Sequence, residues 1–106
     1  MLIASVRDVL SGKIAAGTDV LVQGWVRTRR DSKAGFSFIH INDGSCFANL
    51  QLVADAQLSN YDEGILRLTS GASVRCRGRI VESKGRGQRV EIQADEIEIP
   101  GLVEDP

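Results

Sequence analysis

Phe36-Ser37-Phe38-Ile39-His40-Ile41-Asn42 alternates without a break, with Ile39 and Ile41 on one side and Phe36, Phe38, His40 and Asn42 on the other. A period of two over seven residues reads as a half-buried strand. Working backwards, Asp19-Val20-Leu21-Val22-Gln23-Gly24-Trp25-Val26-Arg27 repeats the period, with Val20, Val22 and Val26 on one face. Gly24 in mid-strand predicts a bend or bulge. Arg27-Thr28-Arg29-Arg30-Asp31-Ser32-Lys33-Ala34-Gly35 follows as a basic loop ending in glycine. Working forwards, Asp43-Gly44-Ser45 is a turn signal. Residues 46–53 then alternate again: Ala48, Leu50 and Leu52 are apolar, while Phe47, Asn49 and Gln51 share the other side.

Around these three strands the pattern changes twice. Residues 5–10 read as a short helix, with Ser5 as cap, Asp8 at the capping-box position and Val6, Val9 and Leu10 as an apolar stripe. Residues 57–70 read as a second helix, with Ser59 or Asn60 as cap, Asp62 and Glu63 in its first turn and Ile65, Leu66 and Leu68 on its apolar side. A fourth strand over 73–81 turns Val74, Cys76, Gly78 and Ile80 inward and Arg75, Arg77 and Arg79 outward. The polar loop of residues 82–88 leads to a last strand beginning at Arg89. Its phase shifts near Ala94-Asp95 and it closes at Pro100-Gly101. The chain is therefore all-β with short helices. Five strands, an N-terminal helix and a helix between the third and fourth strands match a five-stranded Greek-key barrel of the OB type. Another small barrel or sandwich with an added helix is the runner-up. Residues 1–101 make one domain, and residues 102–106 read as the start of a linker.

Composition narrows the function. The chain has 106 residues, 13 Lys+Arg against 14 Asp+Glu, and a net charge of −1; 42% of residues are hydrophobic and 25% charged. These are the proportions of one globular domain. No apolar run approaches the roughly 20 residues that span a bilayer, and the first residues lack the layout of a signal peptide. Cys46 and Cys76, with a single His, make no zinc set and read as two small buried thiols in a reducing cytosol, with a disulfide as the weaker alternative. No Ser–His–acid arrangement is visible around His40. Glu91, Asp95, Glu96 and Glu98 read as a solvated strand edge. The net charge hides segregation. Residues 27–33 hold four basic side chains against Asp31, residues 75–89 hold six against Glu82, and residues 91–106 hold six acids and no base. Local basic loops on a neutral body suit specific reading better than general adhesion to polyanions.

Binding is the chemistry this pattern supports. OB barrels bind single-stranded nucleic acid on the face of their second and third strands. Here that face carries Phe36, Phe38, His40, Phe47, Asn49 and Gln51. A ring offers a stacking surface to an unpaired base, and an amide reads a base edge. Arg27, Arg29, Arg30 and Lys33 supply phosphate contacts or guanidinium stacking. Blander readings stand beside these: Phe36 or Phe47 covering the barrel end, His40 as a satisfied structural group, and Arg75, Arg77 and Arg79 as a solvated outer face.

The run from Gly24-Trp25-Val26-Arg27-Thr28-Arg29-Arg30-Asp31-Ser32-Lys33-Ala34-Gly35 into the second strand resembles the N-terminal anticodon-binding domain of class IIb aminoacyl-tRNA synthetases. Asp43-Gly44-Ser45-Cys46-Phe47, Leu66-Arg67-Leu68-Thr69-Ser70-Gly71 and Val103-Glu104-Asp105-Pro106 fit the same family, and tilt the resemblance to its bacterial asparaginyl branch. The resemblance implies that Arg30, Phe38, Gln51 and Glu91 recognise anticodon bases. Phe38 would stack on the central uridine, with Arg30 and Gln51 bonding to it or its phosphate, and Glu91 would accept from a guanine edge at the first base. The loop of residues 32–35 is a candidate reader of the third. It also implies the anticodon loop of tRNA(Asn) as partner, no membrane association, a cytoplasmic location and no cofactor for this domain. ATP and magnesium would belong to a catalytic domain that this chain lacks, in a homodimeric parent that ligates asparagine to tRNA; the isolated domain would be monomeric and not itself an enzyme. The rival expectations are a free-standing general single-strand binder and a protein-interaction domain.

Overall fold

The computed structural model describes residues 2–83 and 90–101. Six strands and one short α-helix follow in the order β1 (Leu2–Ile3), α1 (Val6–Leu10), β2 (Asp19–Ser32), β3 (Phe36–Asn42), β4 (Leu50–Asp55), β5 (Ser73–Glu82) and β6 (Val90–Gly101). A three-residue 3-10 turn, Ile65–Arg67, lies between β4 and β5. β2 pairs with β3, β3 with β4, β4 with β6, β6 with β5, and β5 returns to β2. That cycle closes a five-stranded barrel of the OB type and leaves β1 as a parallel addition to β2.

The inward residues are those the alternation marks. Val20, Val22, Ile39, Ile41, Leu50, Leu52, Ile80 and Ile92 have no exposed surface. β2 serves two neighbours in turn, meeting β5 over 19–25 and β3 over 25–32. Gly24 sits at that handover. A Cβ there would lie 2.8 Å from the Asn42 carbonyl oxygen, so the close approach excludes any side chain. Three residues later the strand bulges: Val26 pairs with Ile41 and Thr28 with His40, which leaves Arg27 as the extra residue. A second bulge, at Asp95, is the phase shift visible in the sequence, since Arg77 faces Glu96 and Gly78 faces Ala94.

Three segments differ from the expectations. Residues 27–32, expected as the start of a basic loop, continue β2 because they pair with β3, and only 33–35 form the turn. Residues 57–70 form turns closed by the 3-10 turn instead of an α-helix. The Asn60 carbonyl accepts from both Gly64 and Ile65, and the Asn60 side chain donates to the Ile97 carbonyl at 2.7 Å. Gly64 packs so tightly on β6 that a Cβ would sit 2.8 Å from Ile99 Cδ1. Packing onto β6 therefore overrides the helical spacing of Ile65 and Leu68, although both are buried as expected. The third strand begins at Leu50, not Cys46. The Asn42 amide nitrogen bonds the Cys46 and Ala48 carbonyls and Asn49 Oδ1, which holds residues 43–49 as a loop. Phe47 consequently stands fully exposed and covers nothing. The expected loop at 84–88, the strand start at Arg89 and the linker at 102–106 lie outside the described residues.

The 43–49 loop has its own task. In α1, Ser5 Oγ accepts from the Asp8 amide, Asp43 Oδ2 from Val6 and Ser45 Oγ from Arg7. Three of the donors that a helix start leaves unpaired are thereby satisfied, two of them from a distant loop. Both thiols are free, with Cys76 buried and Cys46 half-buried.

Candidate nucleic-acid interface

The outward side of β2, β3, β4 and β6 carries two registered rows. In the first, Thr28 faces His40 across β2 and β3, and His40 faces Gln51 across β3 and β4. The Leu52–Ile92 pairing then sets Gln51 beside Glu91 on β6. In the second, Arg30 faces Phe38, Phe38 faces Val53, and Val53 faces Gln93. Thr28, Arg30, Phe38, His40 and Gln51 line a concave pocket of about 290 Å³.

Side-chain contacts tie each row together. The Arg30 guanidinium carbon lies 5.2 Å from the centroid of the Phe38 ring. This distance is within the range of a cation–π contact, and it presents a cation and a ring face together. His40 Nε2 is 2.9 Å from Gln51 Oε1, and Gln51 Nε2 donates to Glu91 Oε1 at 3.3 Å. The pocket thus offers one flat ring, one guanidinium and one amide, and the Glu91 carboxylate stands next to it, bonded to that amide. A ring stacks on a base, a guanidinium bonds a phosphate or a carbonyl, and an amide and a carboxylate read edge donors. Such a set serves recognition. Among the described residues no group of three or more His, Cys, Asp or Glu side chains is placed to hold a metal ion.

Of the residues singled out from the sequence, Arg30, Phe38, His40, Gln51 and Glu91 come together here. Lys33 is exposed in the turn between β2 and β3, near the Arg30–Phe38 end. Asn49 lies just before β4 and is held by Asn42. Arg27 is exposed at the bulge. Arg29 is not on this face. It turns to the other side of β2, where Nη1 donates to the Ile65 carbonyl at 3.3 Å and pairs with Asp31 at 3.3 Å. Asp31 also accepts from Ser37 Oγ at 2.6 Å. Because that hydroxyl's one proton goes to a carboxylate, the Tyr61 hydroxyl donates to Ser37 Oγ at 2.8 Å. Among the described residues Ser37 is the buried polar side chain of the core, and this network fastens the 56–68 segment to the barrel.

The bulge at Arg27 explains the division. Without it, Thr28 would share the inward phase of Val26. With the extra residue, Thr28 and Arg30 turn outward, and Arg29 and Asp31 turn to the inner side. Thr28, which the sequence reading passed over, joins the pocket for this reason. The one available signal was Gly24, which marked a distortion but not its position. Arg75, Arg77 and Arg79 are exposed on β5, away from the pocket, and Arg75 pairs with Glu98 at 3.1 Å.

Known proteins share this sequence and this fold. The asparagine–tRNA ligase of Haemophilus influenzae (strain PittEE) is 55% identical over 104 residues, covering 98% of this chain and 22% of the ligase. That of Sodalis glossinidius is 58% identical over 106 residues, covering 100% of this chain and 23% of the ligase. The chain thus spans less than a quarter of the length of these curated relatives. Among solved structures, the asparaginyl-tRNA synthetase of Pyrococcus horikoshii complexed with asparaginyl-adenylate superposes with a TM-score of 0.80 at 20% identity, over 94% of this chain and 22% of that one, which shows the shared fold. A family model described as an OB-fold nucleic acid binding domain, of the tRNA anticodon type, matches residues 20–100. With the barrel closed and matched over that span, this chain belongs to the anticodon-type family of OB-fold nucleic acid binding domains.

Proposed function

We propose that the chain is the part of an asparagine–tRNA ligase that reads the tRNA(Asn) anticodon. The observation that carries this reading is the pairing of Arg30 with Phe38 beside the row His40–Gln51–Glu91. One unpaired base stacks on Phe38, with its phosphate or carbonyl near Arg30. Gln51 offers its amide to the edge of that base, the central uridine of the anticodon. Glu91, one strand further, accepts from the N–H groups of a guanine at the first position. The high identity to asparagine–tRNA ligases supports the choice of tRNA. Ligation itself, with its ATP and magnesium, belongs in this reading to the remainder of a parent enzyme.

The test is a titration of the domain with anticodon stem-loops of an asparagine tRNA, an aspartate tRNA and a scrambled sequence, at low and moderate salt. The proposal expects the asparagine loop to bind tightest and the ranking to survive the added salt. Equal affinities that fall together with salt would mark a general single-strand binder. Absence of RNA binding at low salt would favour a protein-interaction domain.

A further inference from the structure

We infer that His40 is a positioning residue, which together with Glu91 holds the orientation of the Gln51 amide and thereby lets this face tell one pyrimidine from the other. Gln51 stands between two registered neighbours, His40 on β3 and Glu91 on β6. A carboxylate only accepts, so Gln51 gives Glu91 an N–H and turns Oε1 to His40. The opposite orientation would set Oε1 against a carboxylate oxygen 3.3 Å away, acceptor on acceptor. With Oε1 facing it at 2.9 Å, His40 must carry its proton on Nε2 and donate. The amide is thus held from both sides. One N–H and one oxygen lone pair remain, side by side, for a base.

That order matters for pyrimidines. Uracil presents an N–H between two carbonyls and meets an amide in either orientation. Cytosine presents its donor and acceptor in a single order. An amide free to flip accommodates both bases, whereas an amide held in the order opposite to cytosine's meets uracil alone. Glu91 sets the order, and His40 contributes the second bond that holds the amide against flipping, with no need to touch the RNA. This inference rests on the proposed reading of the face by an anticodon loop, but the state of His40 does not.

Two measurements separate them. The chain has a single histidine, so a long-range ¹H–¹⁵N spectrum of the free domain at alkaline pH reports its tautomer without ambiguity. The inference requires the Nε2–H form; the Nδ1–H form, or an equal mixture, overturns it. The second measurement titrates wild type, His40→Leu and His40→Gln with asparagine anticodon stem-loops carrying uridine or cytidine in the middle. His40→Leu should narrow the uridine-over-cytidine preference roughly fivefold, the worth of one ordinary hydrogen bond, with a smaller loss of uridine-loop affinity. His40→Gln, which keeps an N–H donor, should restore part of that preference. An unchanged preference in His40→Leu overturns the inference. Wild type that binds neither loop overturns the reading of the face and the discriminating role with it, while the tautomer still decides whether the clamp exists.

Discussion

Arg30 and Phe38 are direct cross-strand partners, and the guanidinium of one lies 5.2 Å over the ring of the other. The ring is half-buried in the pocket wall, which leaves part of its surface for a stacking base. Phe38→Ala should weaken binding of an asparagine anticodon stem-loop by about 1–3 kcal/mol, the usual worth of one stacked base. Circular dichroism of the variant should match wild type. Undiminished affinity with an intact spectrum would remove Phe38 from the interface.

Adjacent arginines should behave oppositely. Arg30 faces the pocket, whereas Arg29 faces the 56–68 segment and donates to Ile65. Arg30→Ala should lower RNA affinity and leave thermal unfolding nearly unchanged. Arg29→Ala should lower stability by about 1 kcal/mol with little direct effect on RNA affinity. Paired melting curves and titrations check this, and a fall in RNA affinity confined to Arg29→Ala would reverse the assignment.

Asp43 ties a loop to a helix start, and its carboxyl titrates accordingly. Burial pushes its pKa up, but hydrogen bonds from the Ser45 hydroxyl and from the Val6 and Ser45 amides outweigh this and hold it below the usual carboxylate value of 3.8. A carboxyl with a lowered folded pKa contributes stability that is fully present above its unfolded value and is lost as pH falls through the folded one. Acid unfolding should therefore steepen below about pH 4 in wild type. Asp43→Ala should lose about 0.5–2 kcal/mol at neutral pH, the range for a lost helix cap, and should show a shallower acid limb. Chemical denaturation at a series of pH values measures both.

The two thiols should separate cleanly. Cys76 lies in the core, and burial, with a smaller effect of the Asp95 charge, pushes its thiol up to about 12. The thiolate is the reactive form, so Cys76 should resist a thiol reagent in the native domain. Cys46, half-buried in the 43–49 loop, should react first. Two equivalents consumed at one rate under native conditions would contradict the placement. Because the folded pKa of Cys76 is raised, its contribution to stability holds below the ordinary thiol range and fades as pH rises from there towards about 12.

Much of this was legible in the chain. Alternation at Val20–Val22, Ile39–Ile41 and Val74–Ile80 marked the inward faces, because burial on one side of a strand imposes a period of two. The break at Ala94-Asp95 located a bulge. What escaped depended on non-local partners. The apolar spacing of Ile65 and Leu68 looked helical, but Gly64 against Ile99 and Asn60 against Ile97 are contacts with a distant strand. Residues 46–49 alternated like a strand, but the Asn42 side chain holds their backbone. The site was legible in kind and less so in membership. Phe38, His40 and Gln51 share a parity that sequence shows, whereas the separation of Arg30 from Arg29 depends on a bulge at Arg27 that no residue type announces.

The central claim is that RNA lies on the outward face of β2, β3, β4 and β6. Chemical-shift mapping of the labelled domain with an asparagine anticodon stem-loop tests it most directly. The largest changes should fall on Thr28, Arg30, Phe38, His40, Gln51 and Glu91, with β5 quiet. Changes centred on Arg75, Arg77 and Arg79, with the pocket residues unmoved, would contradict it.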